Sequence, residues 1–133
     1  MNRFLDTSML VRYLTNDAPD LATKAAIIID GQDNLYITDV VIVEAAYVLT
    51  SVYRVPRNTV VDYMITFLQK ENILTFGIDK GKALQALLLC RPSGRVSFGD
   101  AMIWAAAQSS EESIVYSLDE RFPDDGLEVK SIP

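Results

Sequence analysis

The stretch Arg3-Phe4-Leu5-Asp6-Thr7-Ser8 decides the fold. A short apolar run leads into a carboxylate and two hydroxyl residues, and a helical pattern follows at once through Met9, Leu10, Tyr13 and Leu14. This is a strand ending where a helix begins. In sheets covered by helices, ligands bind at such junctions, so Asp6 is expected at the mouth of a site.

Outward from that stretch the chain alternates helices and short strands. A helix is expected from Ser8 to about Thr15, then a turn at Asn16-Asp17-Ala18-Pro19-Asp20. There Asp17 is the expected N-cap, and Pro19 suits the first turn of a second helix running to Asp30-Gly31. Leu35-Tyr36-Ile37 reads as a strand, Thr38 as a cap, and Asp39 to Tyr53 as an apolar helix. Pro56 ends that element, and Asn58 to Glu71 is amphipathic. Then come a strand at Ile73-Phe76, a helix at Asp79–Leu89 and an alanine-rich helix at Ala101–Gln108. Strands are expected again at Ile114-Ser117 and Leu127-Val129. The alternation predicts an α/β fold of three layers, with a largely parallel central sheet flanked by helices, built as a single domain over residues 1–133.

Composition removes several kinds of chemistry. The 133 residues contain no histidine, which eliminates Ser-His and Cys-His triads and every imidazole-ligated metal. One cysteine, Cys90, leaves no disulfide framework within the chain and no cysteine-based zinc site. Asp6 interrupts the first apolar run too early for a signal peptide, and no segment has the length of a membrane span. A cytoplasmic protein without membrane contact is the expectation. A net charge of −6 argues against a broad electrostatic grip on nucleic acid, although metal-binding acids themselves contribute to it.

Four acids stand out. Asp6 and Asp119 each follow a strand, Asp100 opens a helix, and Glu44 lies in the second turn of one. Strand C-termini and helix N-termini share one rim of a parallel α/β sheet. Each acid also has a plain structural role open to it. Asp6 can cap the helix after it, Ser97-x-x-Asp100 resembles a capping box, and Asp119 is a loop acid. Glu44 is expected to be buried, because Val40, Val41, Tyr47 and Val48 surround it on the helix; an unpaired carboxylate there would demand a cation. Two carboxylates ~5 Å apart repel by roughly 3 kcal/mol at an effective dielectric of ~20. Converging acids therefore predict a bound cation, and hard oxygen ligands predict Mg²⁺ or Mn²⁺.

Phe4-Leu5-Asp6-Thr7-Ser8 with Leu10-Val11-Arg12-Tyr13-Leu14 resembles the opening of PIN-domain proteins. Val43-Glu44-Ala45, Phe98-Gly99-Asp100-Ala101-Met102-Ile103 and Tyr116-Ser117-Leu118-Asp119 resemble that family's later acidic motifs, in the same order. The compact length resembles the VapC toxins of toxin–antitoxin pairs. The resemblance implies a Mg²⁺- or Mn²⁺-dependent endoribonuclease that hydrolyses RNA with a metal-activated water. It further implies a homodimer restrained by a small protein antitoxin.

Under this resemblance Asp6, Glu44, Asp100 and Asp119 are the metal-site acids, with Ser8 and Ser117 orienting them. Arg12 either contacts a phosphate or pairs with Glu44 or another acid; Arg54, Arg57, Arg91 and Arg95 either contact the RNA backbone or are solvated loop charges. Competing readings are a PIN-type nuclease of RNA processing and a catalytically silent PIN-like binding module. A phosphate-accepting receiver domain would need an acidic pair at the first strand, where Asp6 stands alone, and a late lysine; Lys130 falls too near the end.

Overall fold

A computed structural model describes residues 1–132. Helix α1 spans Thr7–Thr15, α2 Pro19–Ile29, α3 Asp39–Ser51, α4 Arg57–Leu68, α5 Lys80–Leu89 and α6 Phe98–Gln108. Strands β1 (Leu35–Ile37), β2 (Ile73–Thr75), β3 (Ile114–Tyr116) and β4 (Glu128–Lys130) are three residues each. The α/β class and the parallel pairing match the expectation from sequence, because every connection between paired strands runs through a helix or a long crossover.

The sheet is in two parts. β1 pairs with β2, and β3 pairs with β4, both parallel. The expected first strand is reduced to one bridge, Phe4 to Tyr36, held by Leu5 N–H to the Tyr36 carbonyl at 3.0 Å and Tyr36 N–H to the Arg3 carbonyl at 2.7 Å. The cause is local: Asp6 already caps α1, so only Phe4 and Leu5 remain to extend.

Alternation along these strands sets the two faces. Leu5, Leu35, Ile37 and Ile73 are buried beneath the helices. On the opposite face Phe4, Tyr36 and Phe76 pack on one another with ring centroids 5.2–5.8 Å apart. The buried side joins one continuous core containing Leu10, Ile42, Leu49, Met64, Phe67 and Leu87. Ala83 and Ala86 of α5 and Ala101 and Ala105 of α6 are fully buried, and these small side chains let the two helices approach closely. Among the described residues no helix is long and apolar enough to cross a membrane.

Local boundaries follow the caps. Thr38 accepts from Val41 N–H and Ser97 from Asp100 N–H, closing those helix starts as expected, and Asp79 accepts from Lys82 N–H at the start of α5. Asp17 does not cap α2. Ala18 holds that position without a side-chain bond and Pro19 begins the helix, because Asp17 is drawn instead to Arg12, Thr15 and Tyr53.

Candidate active site

Asp6 is both N-cap and candidate ligand. Its Oδ1 accepts from Ser8 Oγ at 2.8 Å and from Met9 N–H at 3.1 Å. Those two bonds, Ser8 first, hold its carboxyl below the ordinary carboxylate range. The side chain remains exposed, and its neighbours are neutral donors rather than a cation.

Glu44 corrects the expectation of burial. It is exposed, standing on a face of α3 where Val40 and Tyr47 are themselves 60% and 66% exposed. The core side of α3 is carried by Val41, Ile42, Ala45, Ala46 and Leu49, so the apolar flanks of Glu44 face outward and no buried charge has to be matched. Its Oε1 accepts from Thr7 Oγ1 at 3.0 Å, which ties Asp6's immediate neighbour on α1 to the acid on α3. A shallow cavity of about 230 Å³ continues from Glu44 across Val43 to Gly99, Met102 and Ile103 of α6.

Asp100 is next to Gly99 at the start of α6 and is partly buried. Ser97 Oγ accepts from Asp100 N–H at 3.0 Å. The Asp100 carboxylate takes no hydrogen bond in return among the described residues, so only half of the anticipated capping box forms and the acid is left over. Its negative charge is felt by the Arg121 guanidinium.

Asp119 lies in the loop after β3. Its N–H donates to Ser117 Oγ at 3.0 Å, so Ser117 shapes the loop through the backbone rather than by touching the carboxylate. The carboxylate meets Arg121: Nε to Oδ1 at 3.2 Å, Nη2 to Oδ2 at 3.3 Å, and the Arg121 N–H to Oδ1 at 2.8 Å. The Arg121 side chain first, then its backbone N–H, lowers the Asp119 carboxyl.

Around the four acids two links are contacts of side chains, Thr7 beside Asp6 to Glu44 and Arg121 to Asp119, while a cavity runs from Glu44 to Gly99 beside Asp100. The four acids do not form a finished cage. Among the described residues no three His, Cys, Asp or Glu side chains stand close enough to hold a metal ion. The donor set, carboxylate and hydroxyl oxygens without imidazole, fits a hard divalent cation. Cys90 offers no alternative nucleophile, since burial pushes its thiol up to about 11.

The arginines divide by their partners. Arg12 takes its structural alternative and pairs with Asp17 at 2.8 Å, not with Glu44. Arg57 donates to the carbonyls of Cys90 (2.7 Å) and Val96, and its guanidinium lies 4.5 Å from the centre of the Phe98 ring. That position is set by the loop preceding α6, so Arg57 is a structural residue. Arg91, just past α5, pairs with Asp62 of α4. Arg54, in a left-handed backbone conformation, and Arg95 are exposed loop residues. Sequence reasoning missed the roles of Thr7 and Arg121. Thr7 was visible only as a hydroxyl beside Asp6, and Arg121 only as a cation two residues after Asp119.

The PIN domain family matches residues 3–125, nearly the whole chain. The chain belongs to the PIN-domain family. PIN domains are a nuclease-type fold whose members generally depend on divalent metal ions. No curated protein matches this chain.

Proposed function

We propose that this PIN-domain protein is a Mg²⁺- or Mn²⁺-dependent endoribonuclease and the toxin of a toxin–antitoxin pair. The observation that carries the nuclease reading is the Thr7–Glu44 hydrogen bond at 3.0 Å, which puts acids from two separate motifs at one junction. Asp6, Glu44, Asp100 and Asp119 would hold the ion. When bound, it supplies the positive charge that lowers the pKa of an attacking water and offsets charge on the phosphate. The chain's own residues prepare that place. Ser8 and Met9 N–H keep Asp6 ionised, Thr7 fixes Glu44, and Ser117 sets the loop that carries Asp119. Arg54 and Arg95, exposed and outside the acid cluster, suit contacts to the RNA backbone.

The toxin role is supported by the surface around Glu44. Val40, Tyr47 and Ile103 are all more than half exposed beside the cavity that Glu44 lines. A small antitoxin protein burying those side chains would cover the acids and stop the enzyme. Val52 at the C-cap of α3 and Tyr63 on α4, both exposed, suit a homodimer contact.

The test is cleavage of RNA by the purified chain in Mn²⁺ or Mg²⁺, with EDTA and Asp6→Asn as controls. Cleavage abolished by both is the expected result, and cleavage that survives Asp6→Asn overturns the mechanism. For the toxin role, expression should arrest growth and co-expression of a small protein encoded beside the gene should relieve it. Unimpaired growth overturns that part alone.

A further inference from the structure

Arg121 is the cation that meets Asp119, one of the four acids, through direct contacts. Its guanidinium meets both oxygens of Asp119, at 3.2 and 3.3 Å, while its backbone N–H fixes the same carboxylate at 2.8 Å. Asp100's charge reaches the same guanidinium. The next residue, Phe122, is buried, and its N–H donates to the Asp119 carbonyl at 3.1 Å. The turn is therefore anchored while the arginine itself is 67% exposed and free to swing away. Among the described residues every other ion-paired arginine has an acid outside the four: Arg3 with Asp33, Arg12 with Asp17, Arg91 with Asp62.

We propose that Arg121 is a built-in counter-cation that holds Asp119 aside until a divalent ion displaces it, so that it competes with the metal for this carboxylate. The proposal rests on the metal-site reading above and names a regulatory element of that site. It gives a physical account of why the acids do not stand as a finished cage. Like charges in one place repel, and a guanidinium spanning two carboxylate oxygens relieves that repulsion by satisfying Asp119 locally. The pair is solvent-exposed, so it is weak enough to give way to a doubly charged ion.

The test is Mn²⁺ binding by isothermal titration calorimetry, which needs no RNA. Arg121→Gln should bind Mn²⁺ about two- to fivefold more tightly than the native chain, the range open to an exposed ion pair. Lys24→Gln removes one positive charge from the exposed side of α2 and should leave the affinity unchanged. In an Asp119→Asn background the gain from Arg121→Gln should disappear, as a double-mutant cycle requires of a contact that acts through Asp119. Unchanged or weaker binding by Arg121→Gln overturns the proposal. So does an equal gain from Lys24→Gln, or a gain that persists without Asp119. Loss of Mn²⁺ binding in Asp6→Asn keeps the metal site standing whatever Arg121 does. Absence of Mn²⁺ binding in the native chain and in Arg121→Gln alike defeats the metal-site reading, and the role of Arg121 falls with it.

Discussion

Asp6 and Asp17 bracket the same helix and keep opposite company. Asp17, just past the C-cap of α1, receives Arg12 at 2.8 and 2.9 Å, the Tyr53 hydroxyl at 2.6 Å and Thr15 Oγ1 at 3.1 Å. Asp6, at the N-cap, receives one hydroxyl and one backbone N–H. Glu44 has a single hydroxyl. A carboxylate whose work is structural carries its cation with it, because an ion pair with several hydrogen bonds fixes two segments at once. A carboxylate kept ionised by neutral donors has its charge still to be answered. Asp119 lies between the two conditions, with a cation that is held loosely at the surface.

The contrast is broken most directly at its two ends. Groups that hydrogen-bond to a metal ligand cost ~10–100-fold when removed, so losing a ligand itself should cost more. Asp6→Asn should lower Mn²⁺-dependent RNA cleavage by more than about 100-fold, while the melting temperature holds, because Asn is also a good N-cap. Asp17→Asn should do the reverse: lower the melting temperature and leave cleavage intact. If both variants lose activity with little change in stability, the two acids are not distinguished by their partners.

The same contrast applies to the cations. Arg57 is tied to two carbonyls and a ring, whereas Arg95 is an exposed loop charge. Charge-assisted hydrogen bonds contribute ~1.5–3 kcal/mol each, so Arg57→Ala should lower the unfolding free energy in urea by about 2 kcal/mol or more, with RNA affinity unaltered. Arg95→Ala should leave stability unchanged and weaken RNA binding. RNA affinity lost in Arg57→Ala at unchanged stability would return Arg57 to the RNA-contacting residues.

A smaller effect is expected at Thr7. Thr7→Val keeps the shape and removes the donor to Glu44. Cleavage and Mn²⁺ affinity should each fall by about tenfold, the lower end for a group that hydrogen-bonds to a metal ligand, and Thr7→Ser should restore both. Equal loss in the serine variant would mean that the methyl group, not the hydroxyl, matters there.

These distinctions were partly legible in the chain. The order of helices and strands and the caps at Thr38 and Ser97 could be read, because capping and periodicity are local. So could the placing of acids at element starts. What could not be read was which face of α3 turns inward. A helix apolar on nearly every side gives no such signal, and Glu44 therefore looked buried when it is exposed. The partners of Asp17 and Arg57 were hidden for a different reason: Tyr53 and Val96 reach them from segments 36 and 39 residues away, and spacing along a chain does not reveal such meetings. Division of the sheet into two pairs was equally hidden, since three-residue strands leave register and pairing to the packing around them.

The least effect, and the one most specific to the contrast, is the acid limb of stability. The Tyr53 hydroxyl, then Arg12, pull the Asp17 carboxyl from 3.8 down to about 2. The unfolded chain therefore takes up this proton before the folded one does. The contribution of Asp17 is complete above pH 3.8, drains away as the pH falls toward 2, and is gone below that. A melting-temperature series across that window should fall more steeply for the native chain than for Asp17→Asn, which has no proton to gain at that position. Tyr53→Phe should recover part of the same flattening, because the phenol is the larger of the two causes. Asp6 and Asp119 are also lowered, so neither variant should abolish the acid limb. Parallel curves for the native chain and Asp17→Asn would show that the Arg12–Asp17–Tyr53 group contributes no pH-dependent stability, and Asp17 would then be no better partnered than the acids of the candidate site.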